Sequence, residues 1–144
     1  MSKKCYLDAN LLVYFSNKGM DNYHERTAKI LSSLVQEKYI LYISPLCLDE
    51  FLFTIIKIMK VNKKTIQWKV IKVSLDNILK IPNLEIINPP TSAENQKKII
   101  AYMKNHKLAP RDAYHLLTME SNDIKHIATF DSDFSKIKSV TVIN

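Results

Sequence analysis

The chain has 144 residues, 47% of them hydrophobic and 24% charged, values that suit one folded domain with its own core and exclude a disordered chain. Its formal net charge is +7, from 21 Lys and Arg against 14 Asp and Glu; such a surface either serves a polyanionic partner through phosphate contacts or reflects a lysine-rich composition kept for solubility. The single glycine, Gly19, excludes a Walker loop and a GxGxxG dinucleotide turn, since both need several glycines for close approach of backbone to phosphate.

The chain opens MSKKCYLDANLLVYF. Asp8 and Asn10 break this apolar stretch, so neither a signal peptide nor a membrane span is predicted. Residues 4–8 read as a short strand ending in an acid. Four further short runs rich in β-branched or aromatic residues follow: Ile40–Ser44, Leu84–Asn88, His126–Phe130 and Val140–Ile143. Each is bounded by polar residues or proline, as expected of buried parallel strands. Between them, helical spacing predicts helices over Asp21–Tyr39, Pro45–Lys60, Lys63–Leu79, Thr91–Lys107 and Pro110–Ser121. Pro45 and Pro110 stand at helix starts and Ser92 is a cap candidate.

In the first helix Ala28, Ile30, Leu31, Leu34 and Val35 form the expected apolar stripe; in the third, Ile66, Val70, Val73 and Asn77 share a side. The stretch from Phe51 to Leu75 holds six lysines and no acid, a basic solvated face. Trp68 is expected in the core or on a dimer surface. Cys5 and Cys47 lie in apolar segments without CxxC spacing, and read as buried free thiols of a reducing, cytoplasmic compartment. Strands alternating with helices, with no linker or repeat, predict an α/β sandwich with a mostly parallel sheet, as one domain over residues 1–144.

The placement of acids carries the functional argument. Open parallel sheets bind ligands at the carboxyl ends of their strands. Asp8 ends the first strand, Asp131 follows His126–Phe130, Asp112 lies in the first turn of the helix opening at Pro110, and Glu50 lies in the helix after the second strand. All four can face one edge. Carboxylates so clustered repel unless a cation neutralises them, and hard oxygen donors with no His or Cys expected nearby select Mg²⁺ or Mn²⁺ over zinc. Such an ion activates water and offsets charge on a phosphodiester, so a basic protein with this site reads most simply as a phosphodiesterase.

Taken singly, some of these acids have plainer explanations, whereas Asp8 at a strand end is hard to explain by packing. Asp112 suits a helix dipole, and Asp131 and Asp133 suit turns in FDSDF. Glu50 sits among Leu46, Leu48, Phe51 and Phe53, where an inward carboxylate is costly without a cation; its neighbour Asp49 is expected in solvent. No Cys or Ser is expected beside a His at these sites, so thiol or serine nucleophile chemistry finds no support. Arg111 either contacts substrate phosphate or pairs with an acid. His115, one turn after Asp112, is expected to be packed or hydrogen-bonded rather than catalytic.

LDANLLVY at 7–14, Glu50, APRDAYHLL at 109–117 and TFDSDF at 129–134 together resemble the PIN domain family, and more narrowly its VapC-type toxins of prokaryotic toxin–antitoxin pairs. The resemblance covers essentially the whole chain. It implies a three-layer sandwich with a five-stranded parallel sheet of order 3-2-1-4-5. It also implies a Mg²⁺- or Mn²⁺-dependent ribonuclease with Asp8, Glu50, Asp112 and Asp131 as its four acids. Asn10, Thr129 and Asp133 then orient the ligands from behind. An antitoxin partner and a homodimer are implied as well. A departure lies at Asn122–Asp123, where the family often has glycine. Two rivals stay open: a housekeeping RNA-processing nuclease without an antitoxin, and a PIN-like RNA-binding module that does not cleave. A receiver domain lacks support, and a haloacid-dehalogenase phosphatase would want DxD where this chain has Asp8-Ala9-Asn10.

Overall fold

The computed structural model describes residues 2–19 and 21–144. Its elements alternate as the pattern requires: β1 (Lys4–Leu7), α1 (Ala9–Ser16), α2 (Asp21–Gln36), β2 (Ile40–Ile43), α3 (Pro45–Val61), α4 (Trp68–Leu79), β3 (Leu84–Ile86), α5 (Ala93–His106), α6 (Pro110–Ser121), β4 (His126–Ala128) and β5 (Thr141–Ile143). The five strands form one sheet of order β3-β2-β1-β4-β5, and every pairing is parallel. β1 is the central strand, and Cys5, Tyr6 and Leu7 are fully buried. That burial is why the strand reads as a continuous apolar run instead of an alternating one.

Strand order reverses between β1, which leads outward to β2, and β4, which leads outward to β5. A crevice opens beyond the carboxyl ends of strands at such a switch point. The sequence fixes the helix starts that surround it. The Asp8 side chain caps α1, accepting from the Ala9 amide at 2.7 Å. The Ser44 hydroxyl caps α3 by accepting from the Cys47 amide, with Pro45 at the first helical position, where its missing amide hydrogen costs nothing. The Ser92 cap of α5 forms as expected. Phe51, Leu116, Leu117, Met119 and Phe134 are buried to 1% or less; each contributes about 1.5–3 kcal/mol of hydrophobic stabilisation.

The structure departs from the sequence reading in four places. α1 was not predicted: ANLLVYFS is apolar almost throughout, a pattern without helical period. α4 begins at Trp68 instead of Lys63, because Lys63 takes a left-handed turn (φ 54°) that ends the preceding helix. The buried side of α4 is accordingly Ile71 and Ile78, while Val70 and Val73 are exposed. Trp68 at 65% exposure is not a core residue. On α2 the buried positions are Thr27, Leu31 and Leu34, and Ala28 faces solvent. At the departure after α6, Asp123 takes the left-handed conformation (φ 53°), which a short polar side chain tolerates. Cys5 and Cys47 are buried free thiols. Among the described residues no helix is long and apolar enough to cross a membrane.

Candidate metal centre

Each acid reaches the switch-point crevice from a different element. Asp8 follows β1, and its amide extends the ladder by donating to the Ala128 carbonyl at 3.0 Å. Asp131 follows β4. Glu50 lies on α3, whose capped start fixes its azimuth. Asp112 is in the first turn of α6; a helix leading back into a parallel strand starts at the carboxyl edge of the sheet, which brings it to the same side. The four acids, with Ala9, Asn10, Val13, Tyr14 and Thr54, line one hollow of about 270 Å³.

Thr129 is the joint that holds two of them. Its hydroxyl donates to Asp8 Oδ2 at 2.6 Å and accepts from the Asp131 amide at 3.0 Å and from Asn10 Nδ2 at 3.1 Å. One donor and two acceptor sites are thereby all used. Asn10 is also linked to Asp8 Oδ2 at 3.4 Å. The expected supporting positions of Asn10 and Thr129 therefore coincide with actual contacts to Asp8. Asp131 Oδ1 accepts from the Asp133 amide at 3.0 Å, so the turn-forming reading of FDSDF also holds, alongside Asp131's place in the hollow.

Glu50 has its own support. His115 Nε2 lies 2.5 Å from Glu50 Oε1, and His115 Nδ1 lies 2.7 Å from the Tyr6 hydroxyl, which is 2.7 Å from the Ser44 hydroxyl. Cys47 Sγ is 3.1 Å from the Tyr6 hydroxyl and 4.0 Å from His115 Nδ1. A Ser and a Cys thus do lie beside a His, which the linear sequence did not reveal. Both are buried, at 1% and 0%, behind Glu50, so they build the floor of the site and have no path to a substrate. Arg111 pairs with Asp49 at 3.8 Å, both exposed; of its two readings, the acid-pairing one is realised, and Asp49 is the solvated neighbour of Glu50 as expected.

The electrostatics follow from this packing. Burial raises the pKa of Asp8, and the Glu50 charge adds to it, against hydrogen bonds from Thr129 and Ala9. Asp112 is pushed up to about 6, first by burial and then by the charge on Asp8. Burial works against a charged His115, but the bonds to Cys47 and Glu50 outweigh it and raise the imidazole to about 10. Buried carboxylates that also repel one another suit a site in which a cation neutralises them. Ligand atoms of Asp8, Glu50 and His115 lie within 4.8 Å of one another, and so do those of Asp112, Asp131 and Asp133. The His115 nitrogens are already taken by Glu50 and Tyr6, which leaves carboxylate oxygens as the free donors. That donor set fits a hard divalent ion of the Mg²⁺ or Mn²⁺ type. Asp133, expected only in support, presents an oxygen in the same group as Asp112 and Asp131.

Tyr14 and Thr54 were not singled out in the sequence, and Tyr6 was read only as part of a strand. The signal for two of them was a spacing of four: Asn10 and Tyr14 on α1, Glu50 and Thr54 on α3, each pair on one helical face. Without α1 the first spacing carried no meaning.

A model of the PIN domain family matches residues 5–140. Ribonuclease VapC6 of Methanocaldococcus jannaschii is 25% identical over 152 aligned positions, which span 96% of this chain and 95% of that protein. Among solved structures, VapBC2 from Rickettsia felis bound to a DNA fragment from its promoter is similar with a TM-score of 0.66, at 19% identity and over 98% of both chains. VapC20 of Mycobacterium tuberculosis, a sarcin-ricin loop cleaving toxin, is similar with a TM-score of 0.63, at 16% identity, over 93% of this chain and 95% of that one.

Proposed function

Because this chain belongs to the PIN domain family, we propose that its acidic hollow hydrolyses RNA phosphodiester bonds and that the protein is the toxin of a type II toxin–antitoxin pair. The observation that carries this reading is the convergence of Asp8, Glu50, Asp112 and Asp131 on one hollow of about 270 Å³. A Mg²⁺ or Mn²⁺ ion bound there supplies Lewis acidity and offsets the charge that builds on the phosphate. Asp8 and Asp131, both hydrogen-bonded to the hydroxyl of Thr129, would be its principal ligands. Glu50 and Asp112 would complete the set, directly or through water, and orient a water for attack. Asp133 and Asn10 steady the loop and the helix cap that carry these ligands.

Support for RNA and for an antitoxin comes from the relatives, one described as a ribonuclease and one as half of a VapBC pair. The net charge of +7 favours a polyanionic substrate. Exposed Phe53, Val61, Trp68 and Val73 on α3 and α4 leave apolar surface that suits a homodimer or an antitoxin. A cytoplasmic setting follows from that substrate and from the two free thiols.

The test is cleavage of a mixed single-stranded RNA pool in Mn²⁺, with and without EDTA, by the wild-type chain and Asp8→Asn. Cutting should vanish on chelation and in the variant. An Asp8→Asn protein that cuts at the wild-type rate overturns the assignment.

A further inference from the structure

Three aromatic rings from three separate segments meet at the edge of the acidic hollow. Tyr14 of α1, itself a lining residue of the hollow, stacks on Tyr23 of α2 with ring centres 4.7 Å apart and planes 15° from parallel. Phe130 meets Tyr14 edge-on at 5.5 Å and Tyr23 edge-on at 5.1 Å, and the next residue along the chain is Asp131. The Arg26 guanidinium lies 4.8 Å from the Phe130 ring centre and 5.5 Å from that of Tyr23. His24 ties this corner down through a 2.8 Å contact of Nδ1 with the Tyr14 carbonyl.

This cluster is not ordinary core. Tyr23 is 42% exposed, Arg26 is exposed, and Tyr14 and Phe130 are only partly buried. Packing alone would be served by aliphatic side chains, whereas stacked rings at the rim of a cleft offer a rigid π surface. Any nucleobase can stack on such a surface, and an arginine beside it supplies a planar fork for a phosphate. The chain has 21 basic residues, but only Arg26 and Arg111 are arginine. One stands at this aromatic cluster, against the ring of Phe130, and the other directly precedes Asp112 in the chain.

We propose that Tyr14, backed by Tyr23 and Phe130 and flanked by Arg26, forms a subsite that stacks one unpaired nucleobase beside the bond to be cut, with Arg26 holding a neighbouring phosphate. The inference rests on the nuclease reading and adds to it which side chains grip the substrate. A base inside a duplex has both faces covered by its neighbours, so only an unpaired base can use this subsite.

The test uses a short single-stranded RNA carrying 2-aminopurine, titrated with the full chain on an Asp8→Asn background so that binding is read without cutting. Stacking on Tyr14 quenches the fluorophore. Tyr14→Phe should keep the quenching and the affinity, while Tyr14→Leu should lose the quenching and weaken binding on the order of 10-fold. Arg26→Ala, a change at an exposed side chain, should weaken binding and make its dependence on salt shallower. Thermal midpoints measured in parallel separate loss of a contact from loss of fold. If Tyr14→Leu and Arg26→Ala both bind and quench like their parent, the subsite is overturned and the nuclease reading stands. If neither the wild-type chain nor its Asp8→Asn form binds or cuts any RNA, both readings fall together.

Discussion

His115 Nε2 stands 2.5 Å from Glu50 Oε1, with the His115 side chain 1% exposed and that of Glu50 20% exposed. The pair places a cationic group directly behind a candidate ligand, and Tyr6, Ser44 and Cys47 extend it into the sheet. Removing one partner of such a network leaves buried polar groups unsatisfied, at a cost of about 1–3 kcal/mol. His115→Ala should therefore lower the denaturation midpoint and reduce cleavage through a misplaced Glu50. His115→Gln, which keeps a donor toward Glu50, should recover part of both. Urea unfolding and kcat measured on the two variants check this.

Thr129 offers a cleaner separation of packing from hydrogen bonding. Val has nearly the same shape but cannot donate to Asp8 Oδ2 or accept from the Asp131 amide and Asn10. Loss of groups that orient metal ligands typically costs about 10- to 100-fold in metal affinity or activity. Thr129→Val should fall in that range with the fold intact by circular dichroism, and Thr129→Ser should restore most of the activity. A Val variant as active as wild type would show that the ligands need no such joint.

The raised pKa of Asp112 sets a pH dependence of stability. Its folded value of about 6 lies above the ordinary carboxylate value of 3.8, so between these values the folded chain binds the proton more tightly than the unfolded one. Stability without metal therefore falls as pH rises through that window, and the repulsion is fully present above it. Asp8, also raised, acts in the same direction. Partial exposure of Asp112 reduces the size of the effect through solvent screening.

A divalent ion that binds only the folded chain reverses the penalty. At a concentration 100 times its dissociation constant it stabilises by about 2.7 kcal/mol, which is about 5 °C or more in thermal midpoint for a chain of this size. Mn²⁺ should raise the midpoint at pH 7.5, and the rise should shrink at pH 5, where protons compete for the acids. Differential scanning fluorimetry across the two pH values, with EDTA as reference, measures it. An equal shift at both would detach the ion from these carboxylates.

The Arg111–Asp49 pair should matter little to folding. At 3.8 Å and with both side chains about half exposed or more, it is worth at most about 1 kcal/mol. Asp49→Asn should leave the thermal midpoint within about 4 °C of wild type, the order expected for such a change. The same substitution frees Arg111 for phosphate, and RNA affinity should hold or rise.

By itself the sequence determined the elements whose causes are local. Short β-branched runs became strands, Pro45 and Pro110 began helices, Ser92 became a cap, and the positions of four acids relative to strand ends and helix starts pointed to one edge of a parallel sheet. These features depend on neighbours a few residues away, so they can be read along the line. The tertiary structure alone decided α1, where an apolar octamer has no period of its own and becomes helical because Asp8 caps it against the sheet. It also decided that His115 stands behind Glu50, that Thr129 joins Asp8 to Asp131, that Trp68 is in solvent, and that Tyr14, Tyr23 and Phe130 meet. Three of those are contacts between residues far apart in the chain, and the exposure of Trp68 depends on where α4 begins. Strand order and the packing of helices on the sheet create such contacts, and no spacing along one segment encodes them.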